Sequence, residues 1–362
     1  MKTKTVVLLL LLALSTAGLM ACEGKEAAAP MESGSSGGSE YKVRAKKLQA
    51  PWAIAFDNDT IYISERGGNM VQLIGDQMNR EPVRLNKPLL AEGEGGLLGL
   101  ALAPDFSKSN VAYVYHTYEE NGEVLNRIVT VEHKNKEWIE TKALLEGIPG
   151  YFNHNGGRIA IGPDVKLYVT TGDSGQEQRA QQLDNLAGKI LRMNLDGSIP
   201  ADNPFPDSYI YSYGHRNPQG LAWDENGQLY STEHGPSGDP GGHDEINRIA
   251  AGGNYGWPDI IGDAQKEGMI VPLYHTGEDT VAPSGAAFNG SGKLLVAGLR
   301  GQGLFRYDLQ SDILEKLVSD LGRIRDVKSR DGKWYVLTNN TDGRGTPSEE
   351  DDILIELDAR SY

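Results

Sequence analysis

His154 lies in the string Asn153-His154-Asn155-Gly156-Gly157-Arg158, and Asp173 ends Thr171-Gly172-Asp173 a short way downstream. Glycines beside a histidine let the backbone turn sharply and present the ring. A carboxylate near imidazole orients it and favours its use as a proton acceptor. The same spacing also fits a histidine that only satisfies its own hydrogen bonds. Arg216, Arg300, Arg323 and Arg325 form a second group. Clustered arginines grip flat, multiply charged carboxylates or phosphates bidentately; the alternative is that each pairs with a local Asp or Glu. A third group is Glu233-His234-Gly235-Pro236 followed by Asp244-Glu245. Turn carbonyls and carboxylates are the oxygen ligands that Ca²⁺ prefers. The order is not that of an EF-hand, and a solvated acidic loop reads the same way. Ser174 and Ser237 stand outside any Gly-x-Ser-x-Gly, which disfavours a nucleophile-elbow hydrolase. Neither a Gly-x-Gly-x-x-Gly opening a helix nor a P-loop is present, so nucleotide cofactors have no visible cradle.

Such residues need elements to position them, and the chain from Tyr41 onward repeats one. An alternating apolar segment leads to an Asp, Asn or Gly turn, and a second segment of the Leu-Tyr-Val type follows. The pairs are Trp52–Phe56 with Ile61–Ile63, Gly99–Leu102 with Ala112–Val114, and Arg158–Ile161 with Leu167–Val169. Gly220–Trp223 with Leu229–Ser231, Gly285–Phe288 with Leu294–Val296, and Ile324–Val327 with Trp334–Val336 complete the set. Their mean spacing of about 55 residues is a propeller or solenoid period. Further strands end near an Asp, as in Lys189–Asn194, Gly303–Asp308 and Ile353–Asp358. Short alternating strands argue an all-β fold, and six units of about four strands argue a six-bladed β-propeller of four-stranded antiparallel blades. Only Glu177–Leu186 carries a helical pattern, of two or three turns. In a hairpin, the start of the first strand and the end of the second share one end. Glu94, His154, Arg216, Asn217, Arg323 and Arg325 stand at such starts; Glu65, Arg66, Asp173, Glu233, His234 and Arg300 stand at such ends. All therefore fall on one face, around the mouth of a central channel, where a ligand site is expected.

The 362 residues carry 50 acidic and 35 basic side chains, a formal charge of −15. Long-range repulsion makes such a chain a poor general binder of nucleic acid. Its 45 glycines, about 12% against roughly 7% on average, argue many tight turns. The single cysteine excludes a disulfide framework and a Cys-rich zinc module. Lys2 and Lys4 precede the apolar run Val6–Leu14, and Leu19-Met20-Ala21-Cys22 follows. That order describes a secretory signal, with a run too short to span a membrane. The tetrad resembles a bacterial lipobox, in which Cys22 is lipidated. An ordinary signal with an incidental cysteine is the alternative. The expected organisation is a lipoprotein signal over 1–21, Cys22 with a Gly/Ser/Glu-rich tether over 22–40, and one propeller domain over 41–362. The protein is then expected outside the cytoplasm, held to the membrane through the lipid only.

Longer strings carry a family resemblance. They are Gly93–Gly99 with Pro104-Asp105-Phe106; His154–Asp173; Leu186–Arg192; Tyr213–Leu221; and Asp244–Asn247 through Gly253–Pro258. Over about residues 45–358 the chain resembles the soluble aldose sugar dehydrogenases that depend on pyrroloquinoline quinone (PQQ), the glucose/sorbosone dehydrogenase family. The resemblance implies a six-bladed propeller, an aldose substrate, PQQ and Ca²⁺ as cofactors, and an unidentified electron acceptor. It implies that His154 takes the proton of the anomeric hydroxyl while hydride passes to the quinone, that Asp173 orients His154, and that Arg216 polarises the quinone carbonyl. Asn217, His234, Arg300, Arg323 and Arg325 would contact the cofactor, whose three carboxylates suit an arginine cluster. Gly235 and Pro236 would offer carbonyls to Ca²⁺, with Asp244, Glu245 and Tyr255 as further metal ligands. Glu94, placed at the substrate, and His234 stand where glucose-oxidising members have Gln, and Arg300 stands where they have Lys; glucose is therefore in doubt as the preferred sugar. Two other functions compete: a Ca²⁺-dependent lactonase on the same fold, and a non-catalytic propeller that binds a carbohydrate or protein partner.

Overall fold

The computed structural model describes residues 33–36, 39–238 and 241–362. The leader and Cys22 lie outside the described residues. The chain is nearly all β. Three sheets are four-stranded antiparallel meanders in sequence order, running 159–213, 218–275 and 283–318. An eight-stranded sheet holds two more, 51–84 and 97–149. These two join edge to edge through a parallel pairing of only two residue pairs, Trp138 with Val83 and Ile139 with Arg84. The remaining sheet places Ile324–Arg330, Lys333–Thr338 and Leu354–Asp358 beside Ser39–Ala45, so a strand from the start of the chain completes a sheet from its end.

The expected hairpins are all present, and each opens its meander. Pro51–Asp57, Leu97–Leu102 and Ile159–Ile161 pack side by side, as do Pro218–Trp223, Pro283–Phe288 and Ile324–Arg330. Pro218–Trp223 packs on Leu167–Thr171, and Ile324–Arg330 returns to pack on Pro51–Asp57, closing a ring. The gradient of burial follows from this. Leu167–Thr171 and Lys189–Met193 are buried along their whole length, whereas Gln77–Arg84 and Ile313–Val318 at the outside are largely exposed. Strands covered on both faces bury every residue instead of alternate ones, charged residues such as Lys189 and Arg192 included. Some glycines serve this contact as well as turns. A Cβ on Gly99 would stand 2.2 Å from the Gly157 carbonyl, and one on Gly220 would stand 2.4 Å from the Ser284 carbonyl. Only a residue without a side chain lets neighbouring inner strands approach so closely.

Two expectations change. The helix expected over Glu177–Leu186 is a 3₁₀ turn, Glu177–Gln181. Its backbone is held by Lys189, whose buried Nζ donates to the carbonyls of Arg179, Ala180 and Ala187, so those carbonyls do not extend a helix. The tether expected to run to residue 40 contains strand Ser33–Ser36, paired with Ser39–Lys42. Backbone pairing at a sheet edge needs no apolar side chains.

Candidate active site

One end of the ring opens into a cavity of about 940 Å³. Its lining brings together Glu94, His154, Arg216, His234, Gly235, Pro236, Asp244, Arg300, Arg323 and Arg325. The hairpin argument placed Glu94, His154, Arg216, His234, Arg300, Arg323 and Arg325 on one face, and the cavity unites them with Gly235, Pro236 and Asp244. Of the other residues marked by that argument, Glu65 is buried and accepts from Arg80 and the Gln49 N–H, a structural tie. Glu233 accepts from the Arg216 N–H and from His215 Nδ1 (2.9 Å), and so fixes the backbone from which Arg216 projects.

His154 holds a left-handed backbone at φ 56°. Its Nδ1 lies 2.8 Å from Asp173 Oδ1. Asp173 is fully buried, and its oxygens also accept from the Gly175 N–H and from Trp257 Nε1, both at 2.9 Å. A carboxylate fixed by those two donors has an acceptor to offer at Nδ1. The proton of a neutral imidazole therefore sits on Nδ1, and Nε2 is left with a lone pair. The hairpin ends touch closely: a Cβ on Gly172 would stand 1.9 Å from the His154 carbonyl. Asn217 lies just behind, its Oδ1 accepting from the Gly156 N–H at 3.0 Å.

Six arginines face the cavity, since Arg66 and Arg344 join the four expected ones. Local pairing accounts for only part of this charge. Arg323 bonds Asp342 at 2.9 Å and Arg325 approaches it at 3.6 Å, so two cations share one carboxylate. Arg325 also donates to Gln219 Oε1, and burial pushes its guanidinium down to about 9. The Arg216 guanidinium lies over the Trp257 ring, 5.3 Å from its centroid, and makes only long contacts to the His234 carbonyl and Ser237 Oγ. Among the described residues, Arg216 Nε, Asn217 Nδ2, His234 Nε2, Arg323 Nε and Arg325 Nε are buried without a partner. Such a set around one cavity fits a polyanionic, planar ligand with acceptor oxygens.

Glu94 bonds Arg344 through Oε1 at 2.5 Å, and its Oε2 accepts the His154 N–H at 2.9 Å. Burial opposes ionisation of Glu94, but His234, Arg344 and the His154 N–H outweigh it and hold the carboxyl at about 2. His234 is itself driven to about 3 by burial. At neutral pH it is uncharged, so Arg344 and the N–H are the partners that matter. Arg66 is spent on structure, donating to the Gly93 and Gly95 carbonyls.

The expected metal ligands divide. Gly235, Pro236 and Asp244 line the cavity, and Glu245 and Tyr255 do not. Asp244 spends both oxygens on the N–H groups of Gly235, Val281 and Ala282. The Tyr255 hydroxyl donates to Arg248 O and accepts the Ala250 N–H. Glu245 pairs across the strands with Glu233 and bonds Asn247; burial and the Glu233 carboxylate push it up. Side chains of Asp244, Glu245 and Tyr255 therefore do not close a cage with the Gly235-Pro236 turn. Asp342 and Arg344 are the site residues that sequence reasoning missed. They sit on the loop after the last hairpin, which carries no strand pattern.

Comparison with known proteins matches this chain to the glucose / sorbosone dehydrogenase family over residues 48–353. It is 35% identical over 269 residues to quinoprotein glucose dehydrogenase B of Acinetobacter calcoaceticus, covering 65% of this chain and 55% of that protein. It is 32% identical over 342 residues to aldose sugar dehydrogenase YliI of Escherichia coli, covering 83% and 90%. Among solved structures, the PQQ-bound aldose sugar dehydrogenase of Streptomyces coelicolor superposes with a TM-score of 0.81 at 36% identity, covering 87% of this chain and 96% of that one.

Proposed function

Because the chain belongs to the glucose/sorbosone dehydrogenase family, we propose that it oxidises the anomeric hydroxyl of aldoses to lactones with PQQ as its redox cofactor. The observation that carries this reading is the His154–Asp173 pair, 2.8 Å apart, at a cavity whose arginines exceed their local partners. We read the six meanders as six propeller blades around that cavity.

His154 Nε2 accepts the proton of the anomeric hydroxyl, and Asp173 stabilises the imidazolium that results. Trp257 and Gly175 keep the Asp173 carboxylate from turning away. Bound PQQ supplies a two-electron acceptor, which the protein itself lacks. Arg216, Asn217, His234, Arg300, Arg323 and Arg325 would hold it, and the unpartnered buried nitrogens among them support that fit. Arg216, positioned by Glu233, meets negative charge where it develops. A Ca²⁺ ion would rest on the carbonyls of Gly235 and Pro236, without the side-chain ligands expected from the sequence. A propeller lactonase would need carboxylates and Asn around a channel metal, and it would leave the arginines of the cavity unexplained. Lipidation of Cys22 would hold the enzyme outside the cytoplasm, and its electrons would leave to an acceptor there.

The test is direct. Apo-protein is mixed with PQQ and Ca²⁺, and reduction of an artificial dye is followed over a panel of aldoses. Dye reduction with at least one aldose is expected, together with a change in the quinone spectrum. Absence of both would overturn the reading.

A further inference from the structure

The cavity is electrically lopsided. Its surplus cations, Arg216, Arg300, Arg323 and Arg325, come from the fourth, fifth and sixth meanders, whereas Glu94 and His154 come from the turns that open the second and third. The second side carries the carboxylates of Glu94 and Asp173. Two cations on that side are committed, Arg66 to the Gly93 and Gly95 carbonyls and Arg344 to Glu94, while Arg216 also feels the Asp173 and Glu94 carboxylates. Glu94 is also bonded to the backbone of the base itself. A sugar hydroxyl that reaches His154 is therefore brought beside this carboxylate. The two members of the ion pair are unequal. Glu94 keeps 17% of its side chain exposed and Arg344 keeps 48%. Arg344 can thus turn outward into solvent, while Glu94 cannot leave.

Resting on the aldose-oxidising reading, we propose that Glu94 and Arg344 form a charge filter at the sugar subsite, admitting aldoses that are neutral or carry an ammonium group and excluding aldoses that carry a carboxylate. A neutral sugar inserts hydroxyls that accept from Arg344 and donate to Glu94. An ammonium group replaces Arg344 on Glu94 at no loss of charge pairing. A sugar carboxylate meets Glu94 directly, because Arg344 cannot serve both anions without leaving one of them unpaired. The lowered pKa of Glu94 agrees with a permanently charged wall.

The experiment compares kcat/KM for glucose, glucosamine and glucuronate on the PQQ-loaded enzyme, at slightly acidic pH where the amine is charged. Wild type is expected to prefer glucose over glucuronate by at least about tenfold, the scale of one charge-assisted contact. Glu94→Gln is expected to lower the glucosamine-to-glucose ratio and to raise the glucuronate-to-glucose ratio, each by about tenfold. Arg344→Gln is expected to move both ratios the other way. A merely structural role would lower all three sugars together and leave the ratios alone. Ratios unmoved by both substitutions, or wild-type preference for glucuronate, would overturn the filter while leaving sugar oxidation standing. No turnover of any of the three sugars by an enzyme that oxidises another aldose of the panel would overturn the filter alone; no turnover of any aldose would overturn the function with it.

Discussion

Asp173 has one acceptor for His154 and a second for Trp257, and this division of its two oxygens governs what substitution there should do. Asp173→Asn keeps the size but places an NH₂ where one oxygen was. Either the imidazole must flip its tautomer, protonating Nε2, or the Trp257 bond is lost. The expected outcome is a fall in kcat of about 10²–10⁴, with PQQ affinity little changed. His154→Ala is expected to fall at least as far, again with PQQ bound, which a quinone absorbance titration checks. Weakened PQQ binding in step with lost turnover would reassign His154 to cofactor binding. The pairing of His154 with Asp173 was legible in the sequence because glycines and strand ends mark both residues. Asp342 and Arg344 were not: nothing in Asp342-Gly343-Arg344-Gly345 distinguishes a cavity loop from a surface turn. Arg344 also acts on Glu94 across 250 residues of chain.

At the scale of elements, the site depends on how tightly two hairpin ends meet. The Cβ introduced by Gly172→Ala would lie 1.9 Å from the His154 carbonyl, so backbone must move. Moving it shifts Asp173 against His154. The substitution is expected to cost about 1–3 kcal/mol of stability and more than about tenfold in kcat, since small misplacements at a reacting pair are costly. A urea melt and dye kinetics measure the two. Wild-type kcat in Gly172→Ala would show that the dyad tolerates slack. The loop carrying Arg344 makes a pH-dependent contribution. The folded-state pKa of Glu94 lies below its ordinary value, so its ion pair stabilises the fold above pH 4.5 and loses that effect as pH falls toward about 2. Because Arg344 is half exposed, Arg344→Gln should destabilise by no more than about 1 kcal/mol at pH 7. The gap to wild type should shrink as pH is lowered through that window, and a gap that widened there would contradict the pairing. Strands and hairpins were readable from alternation and turn residues. The 3₁₀ turn after Asp173 was not, because tertiary bonds from Lys189 decide it and local propensity does not.

For the whole molecule, ring closure is the decisive event, and it rests on a join between the two ends of the described chain. Ser39–Ala45 pairs with Leu354–Asp358, and Val43 packs in one core with Trp334, Val336, Ile355 and Leu357. The repeats pointed to a propeller, but they did not say that an N-terminal strand joins the last sheet, because that strand lies outside the repeating hairpins. Cooperativity follows from the closure. The inner strands of each unit contact those of the next around the ring, so opening one sheet edge exposes apolar surface on both neighbours and leaves unpaired backbone at a strand edge. Two truncations separate closure from anchoring. A chain starting at residue 32 keeps the seal and loses only residues 1–31. It should melt in one transition and load PQQ like the full chain. A chain starting at residue 47 loses the sealing strand. It should melt well below the first, broaden its transition, bind an apolar dye and fail to hold PQQ, since Arg323, Arg325 and Asp342 are carried by the sheet that has been opened and by the loop leaving it. Equal melting of the two would mean that the inner ring closes without its seal, and that the packing of Ile324–Arg330 on Pro51–Asp57 is sufficient to hold the cavity together.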